Sequence, residues 1–367
     1  MDKNSVKKRE KNFELLSIIS IIMIVILLFN GHGQIMSNVK IGSIEYFITY
    51  FLEYGCIIAV NIYVMITGYY MIKSKIKINK LIKLELEIIF YSVIIYLTLI
   101  LLNRGNFNIS TMIKSCFPIL TKQYWFMSAY MGLYILIPFI NKLVRNINKK
   151  EYMILLIILT TLLSVIKTAY NKNDVFEANG GYGLFWFIYL YLLAGYIRLH
   201  FNKKIKNSIL FVTYISMIVL QMLIRYIYTK TNIIIISSYV KISLQYNSFF
   251  ILVETVSVFL LFKDMRIKSN IANKVIEKIA PLTLGVYLIH EQPIFRNVLW
   301  NEMLKPFYYL NTGVNITIIL ILDVAIIFIT CCVIEELRII LFKLFGRIKI
   351  IKYLNRKIEK HQININI

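Results

Sequence analysis

Residues 13–30 read FELLSIISIIMIVILLFN, a run whose single charge, Glu14, lies at its first end. An α-helix rises about 1.5 Å per residue and a bilayer's hydrocarbon core is about 30 Å thick, so a run of this length and character is what one crossing requires. Lys3, Lys7, Lys8, Arg9 and Lys11 precede it. A basic lead-in also opens a secretory leader, but the chain continues Asn30-Gly31-His32-Gly33-Gln34 without a small-residue cleavage pattern. The run is therefore expected to be retained as a helix.

Working outward, ten such runs are found, at about 13–30, 45–72, 84–102, 123–140, 152–168, 183–199, 207–228, 243–262, 279–295 and 315–337. The second is overlong and is expected to tilt or break near Asn61, and the ninth is the most marginal. The expected fold is all-α, a polytopic membrane helical bundle of about ten transmembrane helices. Composition agrees: 58% of residues are hydrophobic and 17% charged, against about 45–50% and 25% in soluble domains. With only 5 prolines in 367 residues, Pro-rich linkers are excluded.

The formal charge of +23 admits two readings, nucleic acid or membrane orientation. Position decides. With the N-terminus inside, 31 of the 42 Lys and Arg fall in six interior segments and 10 in exterior ones, with Arg225 inside a span. Each interior segment is richer than the exterior ones beside it, the positive-inside pattern for ten spans with both termini cytoplasmic. Basic residues spread over short loops, with no nucleic-acid-binding module around them, exclude that partner, and anionic lipid headgroups take its place. The chain thus divides into a basic cytoplasmic tail at 1–12, a membrane domain at 13–338 and a second basic cytoplasmic tail at 339–367, in the cytoplasmic (plasma) membrane. Cys56, Cys116, Cys331 and Cys332 lie in apolar surroundings without a CxxC pair, so neither a disulfide framework nor a metal site is expected.

Charges inside spans cost about 2.5–3.5 kcal/mol on insertion scales and need a reason. Glu254, Asp323, Glu53 and Arg225 are the cases here, while Glu14, Glu85 and Glu87 lie near interior ends. Glu254 and Asp323 either pair with a neighbouring helix or line a polar cavity. Of 4 histidines, His200 and His361 sit in basic interior surroundings and read as surface residues. His32 and His290 both fall toward outer span ends, where a neutral imidazole either bonds at the interface or serves as a base. Tyr124-Trp125-Phe126, the Tyr182 to Trp186 cluster and Trp300 read as an interfacial aromatic belt, with sugar stacking as the functional alternative.

Several segments together resemble the type-3 acyltransferase family, integral-membrane enzymes that O-acylate surface polysaccharides and related acceptors. The first is Asn12-Phe13-Glu14-Leu15-Leu16-Ser17-Ile18-Ile19, followed by His32; the second is Asn61 to Tyr69, ahead of Lys73 and Lys75. Then come Gln123-Tyr124-Trp125-Phe126-Met127 with Tyr134 and Pro138, and Pro281 to His290, in the family's order and with its ten spans. The chain also departs from that pattern. The family's first helix carries an Arg about eleven residues before its catalytic His, and those positions are Ser17 and Leu28 here. His32 lies one helical turn beyond Leu28, and on a continuing helix it would share its face, although Gly31 and Gly33 flank it.

The resemblance implies transfer of an acyl group, usually acetyl, from cytoplasmic acyl-coenzyme A to a hydroxyl of a cell-surface or lipid-linked carbohydrate of a bacterial envelope. Acyl-coenzyme A would be a co-substrate, with no tightly bound cofactor. Lys73, Lys75 and Lys77 are the candidates for its phosphates, against plain positive-inside charge. His32 takes the role of base, and His290 with Tyr287 that of orienting the acceptor or holding the oxyanion. Trp125 and Glu254 are the further substrate-binding candidates. Two rivals share the same features: a polysaccharide transporter or lipid-linked glycan flippase, and a non-catalytic partner in surface-polymer assembly.

Overall fold

The computed structural model describes residues 10–75, 78–170, 175–312 and 314–345, and among these it is entirely helical. Lys77, His361 and most of both tails lie outside the described residues. The first predicted span becomes α1, Lys11–Gly31. Ser17 and Ser20 return their hydroxyls to the carbonyls of Phe13 and Leu16 at 2.9 and 2.8 Å, so neither polar side chain is left unsatisfied within the helix. The overlong second span breaks at Ile57-Ile58, giving α2, Ile44–Cys56, and α3, Ala59–Met71. Then follow α4, Ile78–Leu101, α5, Trp125–Asn146, α6, Lys149–Tyr170, and α7, Leu184–His200. The remaining long elements are α8, Asn207–Thr231, α9, Phe249–Lys263, α10, Asn270–Ile279, α11, Thr283–His290, and α12, Ile316–Phe345.

Among the described residues, seven segments are long and apolar enough to cross a membrane, α2 and α3 counting as one, and α7 is a shorter apolar helix of 17 residues. Of the ten predicted runs, the eighth and ninth are short or divided. The eighth is the 15-residue α9, about 22 Å long. The ninth begins where α10 ends and is divided into a 3₁₀ turn at Ala280–Leu282, where Pro281 withholds the N–H that an α-helix would use, then α11, then a short helix at Pro293–Val298.

Residues from distant parts of the chain define the two ends of the bundle. At one, the Asn12 side chain donates to the carbonyls of Phe262 and Lys263 at 2.8 and 3.1 Å. Lys11, Lys204, Lys263 and Arg266 line a single polar pocket there, so three of the basic segments gather at one end, here called the basic end. At the far end, Gln34 donates to Asn301 at 2.6 Å and Arg104 pairs with Glu302 at 2.9 Å.

Asn61 explains the tight packing beside the α2–α3 break. It accepts from Trp186 Nε1 at 2.9 Å and donates to the Tyr246 carbonyl at 2.9 Å and to Thr255 at 3.3 Å. Asn61→Leu would orphan the buried indole N–H and is expected to lower stability by about 1–3 kcal/mol, read by thermal unfolding in detergent. Nearby, α3 meets α7 at Gly68, where a Cβ would stand 2.6 Å from the Tyr191 carbonyl oxygen and 2.8 Å from its Cα. Both obstacles are backbone, so Gly68→Ala forces the helices apart, with an expected loss of about 1–3 kcal/mol in the same measurement.

The aromatic belt is also corrected. Tyr124, Trp186 and Trp300 are fully buried rather than interfacial. Tyr124 donates to the Leu288 carbonyl at 2.9 Å and Trp186 to Asn61, so these polar tips are anchored inside the bundle. His200, expected at the surface, is half-buried and packs edge-on against Tyr152.

The charges inside the spans find their own surroundings. Glu254 is fully buried and accepts from Gln221 across the α8–α9 contact. Glu53 accepts from Asn30 at 3.0 Å. Arg225 lies 3.4 Å above the Tyr50 ring and donates to Tyr54 at 2.9 Å, the tyrosine faces and hydroxyls standing in for water. Asp323 is buried with one oxygen unpartnered.

Candidate active site

One face of α1 decides where the main cavity lies. Ser17, Ile24, Leu28 and His32 follow one another at near-helical spacing, and all four line a cavity of about 550 Å³. From Ser17 to His32 the helix rises about 22 Å, most of the thickness of a hydrocarbon core. The flanking glycines do not stop the helix short of His32. Its φ and ψ are −76° and −27°, and its N–H bonds the Leu28 carbonyl at 2.8 Å. Leu28 and His32 therefore share a wall, with the imidazole nearer the far end and exposed.

The remaining walls come from other helices and from loops, α4 contributing Leu84. α3 contributes Tyr63 and Thr67, α5 contributes Trp125, Phe126 and Tyr130, and α11 contributes Thr283 and Tyr287. Tyr63 donates to the Ser17 carbonyl at 2.7 Å, fixing α3 against α1 at the inner part of the cavity. Trp125 stacks on Tyr246 with ring centroids 5.6 Å apart and an interplanar angle of 26°, and Tyr182 packs 4.5 Å from Trp125. The turn before Tyr182 needs glycine at 181, where φ is +88° and a Cβ would meet Tyr246 and the Asn247 amide. These aromatics make a panel on the cavity wall, Trp125 and Tyr246 stacked and Tyr182 tilted against both.

The cavity wall also contains two residues the sequence reading did not single out. Glu291 and Arg296 both line the cavity and pair at 2.7 Å. The helix breaks after His290, and Gln292 accepts from the Phe295 amide at 2.7 Å to start the short helix Pro293–Val298, which brings Arg296 back onto Glu291. An acid and a base on either side of Pro293 was the available signal. It was hidden because Arg296 also counts as an ordinary outer-loop cation.

Of the residues expected at the site, His32, Trp125 and Tyr287 come together around this cavity. His290 does not line it. It is fully buried, its Nδ1 lies against the Val286 carbonyl of its own helix, and its ring stands edge-on to Tyr287 with centroids 6.3 Å apart. Glu254 is enclosed between α8 and α9, away from the lining. Lys73 and Lys75 are exposed just beyond the end of α3 and are likewise outside the lining. Among the described residues, no group of three or more His, Cys, Asp or Glu is placed to hold a metal ion, and Cys56, Cys116, Cys331 and Cys332 are all free thiols.

The arrangement is a long channel-like cavity with an exposed imidazole, an ion pair and an aromatic panel gathered toward one end. No curated protein and no solved structure matches the chain. A family model described as an acyltransferase domain matches residues 10–335. With that match running over nearly the whole chain, this multi-pass membrane protein belongs to the acyltransferase 3 family.

Proposed function

We propose that the protein transfers an acyl group, most simply acetyl, from acyl-coenzyme A on the cytoplasmic side to a hydroxyl of a cell-surface or lipid-linked carbohydrate. The observation that carries this reading is the single α1 face that holds Ser17, Leu28 and His32 along one cavity, in a chain of this family. The topology that goes with it has both termini cytoplasmic, the basic end facing the cytoplasm of a bacterial cell, and ten passes through the plasma membrane. The inner part of the cavity would receive the pantetheine arm, with Lys73 and Lys75 outside it as the charges nearest the donor's phosphates.

In this mechanism the His32 ring removes the proton from the acceptor hydroxyl as its oxygen attacks the thioester carbonyl carbon. The C–S bond breaks on collapse, the ester forms, and the proton passes from the imidazole to the departing thiolate. Tyr287, on the cavity wall, would hold the acceptor. His290 acts on Tyr287 from behind it, as a positioning residue. The Trp125, Tyr182 and Tyr246 panel supplies an apolar face for a sugar ring.

Ser17 cannot hold a phosphate by charge and Leu28 cannot accept a proton, which favours one second reading: a family member that handles glycans without acyl transfer. Deleting the protein separates the two. Loss of O-acyl esters from surface glycans, followed by mass spectrometry, is expected for the transferase. Unchanged ester content with altered polymer export would replace it with the transport reading.

A further inference from the structure

Glu291 is an unusual wall residue. Its side chain is 8% exposed, one oxygen accepts from Arg296 at 2.7 Å, and the other, Oε2, is buried without any hydrogen-bond partner. An acceptor buried and unpaired is costly to keep. Arg296, 26% exposed, still has guanidinium N–H groups to offer. The pair therefore presents one unused acceptor and unused donors side by side, with no net charge.

That combination discriminates among ligands. An anion drawn to Arg296 would meet the Glu291 carboxylate, and a cation drawn to Glu291 would meet the guanidinium. Either would bring an unbalanced charge into a partly dehydrated site. A neutral hydroxyl satisfies both, since it donates through its hydrogen and accepts through its oxygen. His32 lies on the opposing α1 wall toward the same end of the cavity.

We infer that Glu291 and Arg296 form an acceptor subsite that grips one hydroxyl of a neutral polyol while a second hydroxyl of the same molecule is offered to His32. This rests on the acyl-transfer reading for the role of His32, but the subsite itself is a binding claim and can be tested without turnover. The acceptor class it selects is an uncharged sugar with more than one free hydroxyl, in preference to a uronate or a phosphorylated sugar.

The test is saturation-transfer NMR on the full chain in lipid nanodiscs. The probes are the methyl glycosides of glucose, galactose and N-acetylglucosamine, each beside its 6-carboxylate counterpart. At least one neutral glycoside is expected to bind at least about tenfold more tightly than its uronate. Glu291→Gln replaces the free acceptor with a donor and leaves Arg296 without its counter-charge. It is expected to weaken the neutral glycoside about tenfold and to narrow or reverse the gap to the uronate. Arg296→Gln, which leaves Glu291 as the only charge, is expected to weaken both, the uronate more. Unfolding midpoints recorded alongside separate misfolding from lost recognition, and if one variant fails to fold the other carries the test. Uronates binding as well as neutral glycosides, no neutral glycoside binding at all, or folded variants with unchanged affinities would overturn the subsite. Binding as expected with no acyl group ever transferred would sustain the subsite and remove the transferase reading instead.

Discussion

His32→Gln is expected to lower acyl transfer by about 10²–10⁴-fold, the usual contribution of a positioned general base. Glutamine keeps much of the side chain's reach and polarity but cannot take up a proton at neutral pH. The ring is exposed to the cavity and its role in the fold is slight, so the unfolding midpoint is expected to stay close to that of the parent chain. The measurement is the initial rate of ester formation in membranes from labelled acyl donor, with detergent unfolding as the control. A transporter or a non-catalytic assembly partner would tolerate the change. A second substitution sharpens the result. Leu28 lines the same wall one turn further in, so adding Leu28→His to the His32→Gln chain is expected to restore part of the lost rate. Full activity in the single variant would sink the assignment of His32 as base.

The largest expected effect on stability lies elsewhere in the bundle, where α4, α11 and α12 meet. Glu335 is only 1% exposed, and Arg338 donates to its two oxygens at 2.8 and 2.6 Å while also reaching Glu87 at 3.1 Å. Tyr91 donates its hydroxyl to the same carboxylate. Arg338→Met removes the one cation and leaves a buried carboxylate unbalanced, a kind of loss that costs about 3–5 kcal/mol. Thermal unfolding in detergent is expected to show that loss, and Glu335→Gln in the same chain is expected to recover most of it. Failure of the second change to rescue would mean that packing of the long arginine stem, rather than charge, is what matters. The consequence should reach the site as well. A Cβ on Gly285 would run into the Glu335 carboxylate, so this cluster sets how closely α11 approaches α12, and α11 carries Tyr287.

The contrast between these two places shows which parts of the molecule a sequence can reveal. Apolar runs are a property of composition along the chain, and the bilayer makes them readable because an unpaired backbone in hydrocarbon is prohibitive. Long helices such as α1 and α12 were therefore legible, and so was the break beside Asn61. The ninth run was not, because a proline, a 3₁₀ turn and a cap at Gln292 divide a stretch whose average hydropathy still resembles a span. Among cavity-lining residues, His32 stood out by the scarcity of histidine and its four-residue spacing from Leu28. Its neighbour pair Glu291 and Arg296 did not, because the four residues between them had to turn back before the two could meet.

By itself, the sequence determined that the chain is helical, that it lives in a membrane, and that it belongs to the acyltransferase 3 family. These follow from hydrophobicity, charge and order along one dimension. Only the tertiary structure decided which polar groups face the cavity. It set His290 behind Tyr287, enclosed Glu254 between two helices, and buried aromatics that read as interfacial. The rotation of a helix about its own axis is fixed by the neighbours it packs against, and hydropathy that is high on every side of a helix carries no record of it.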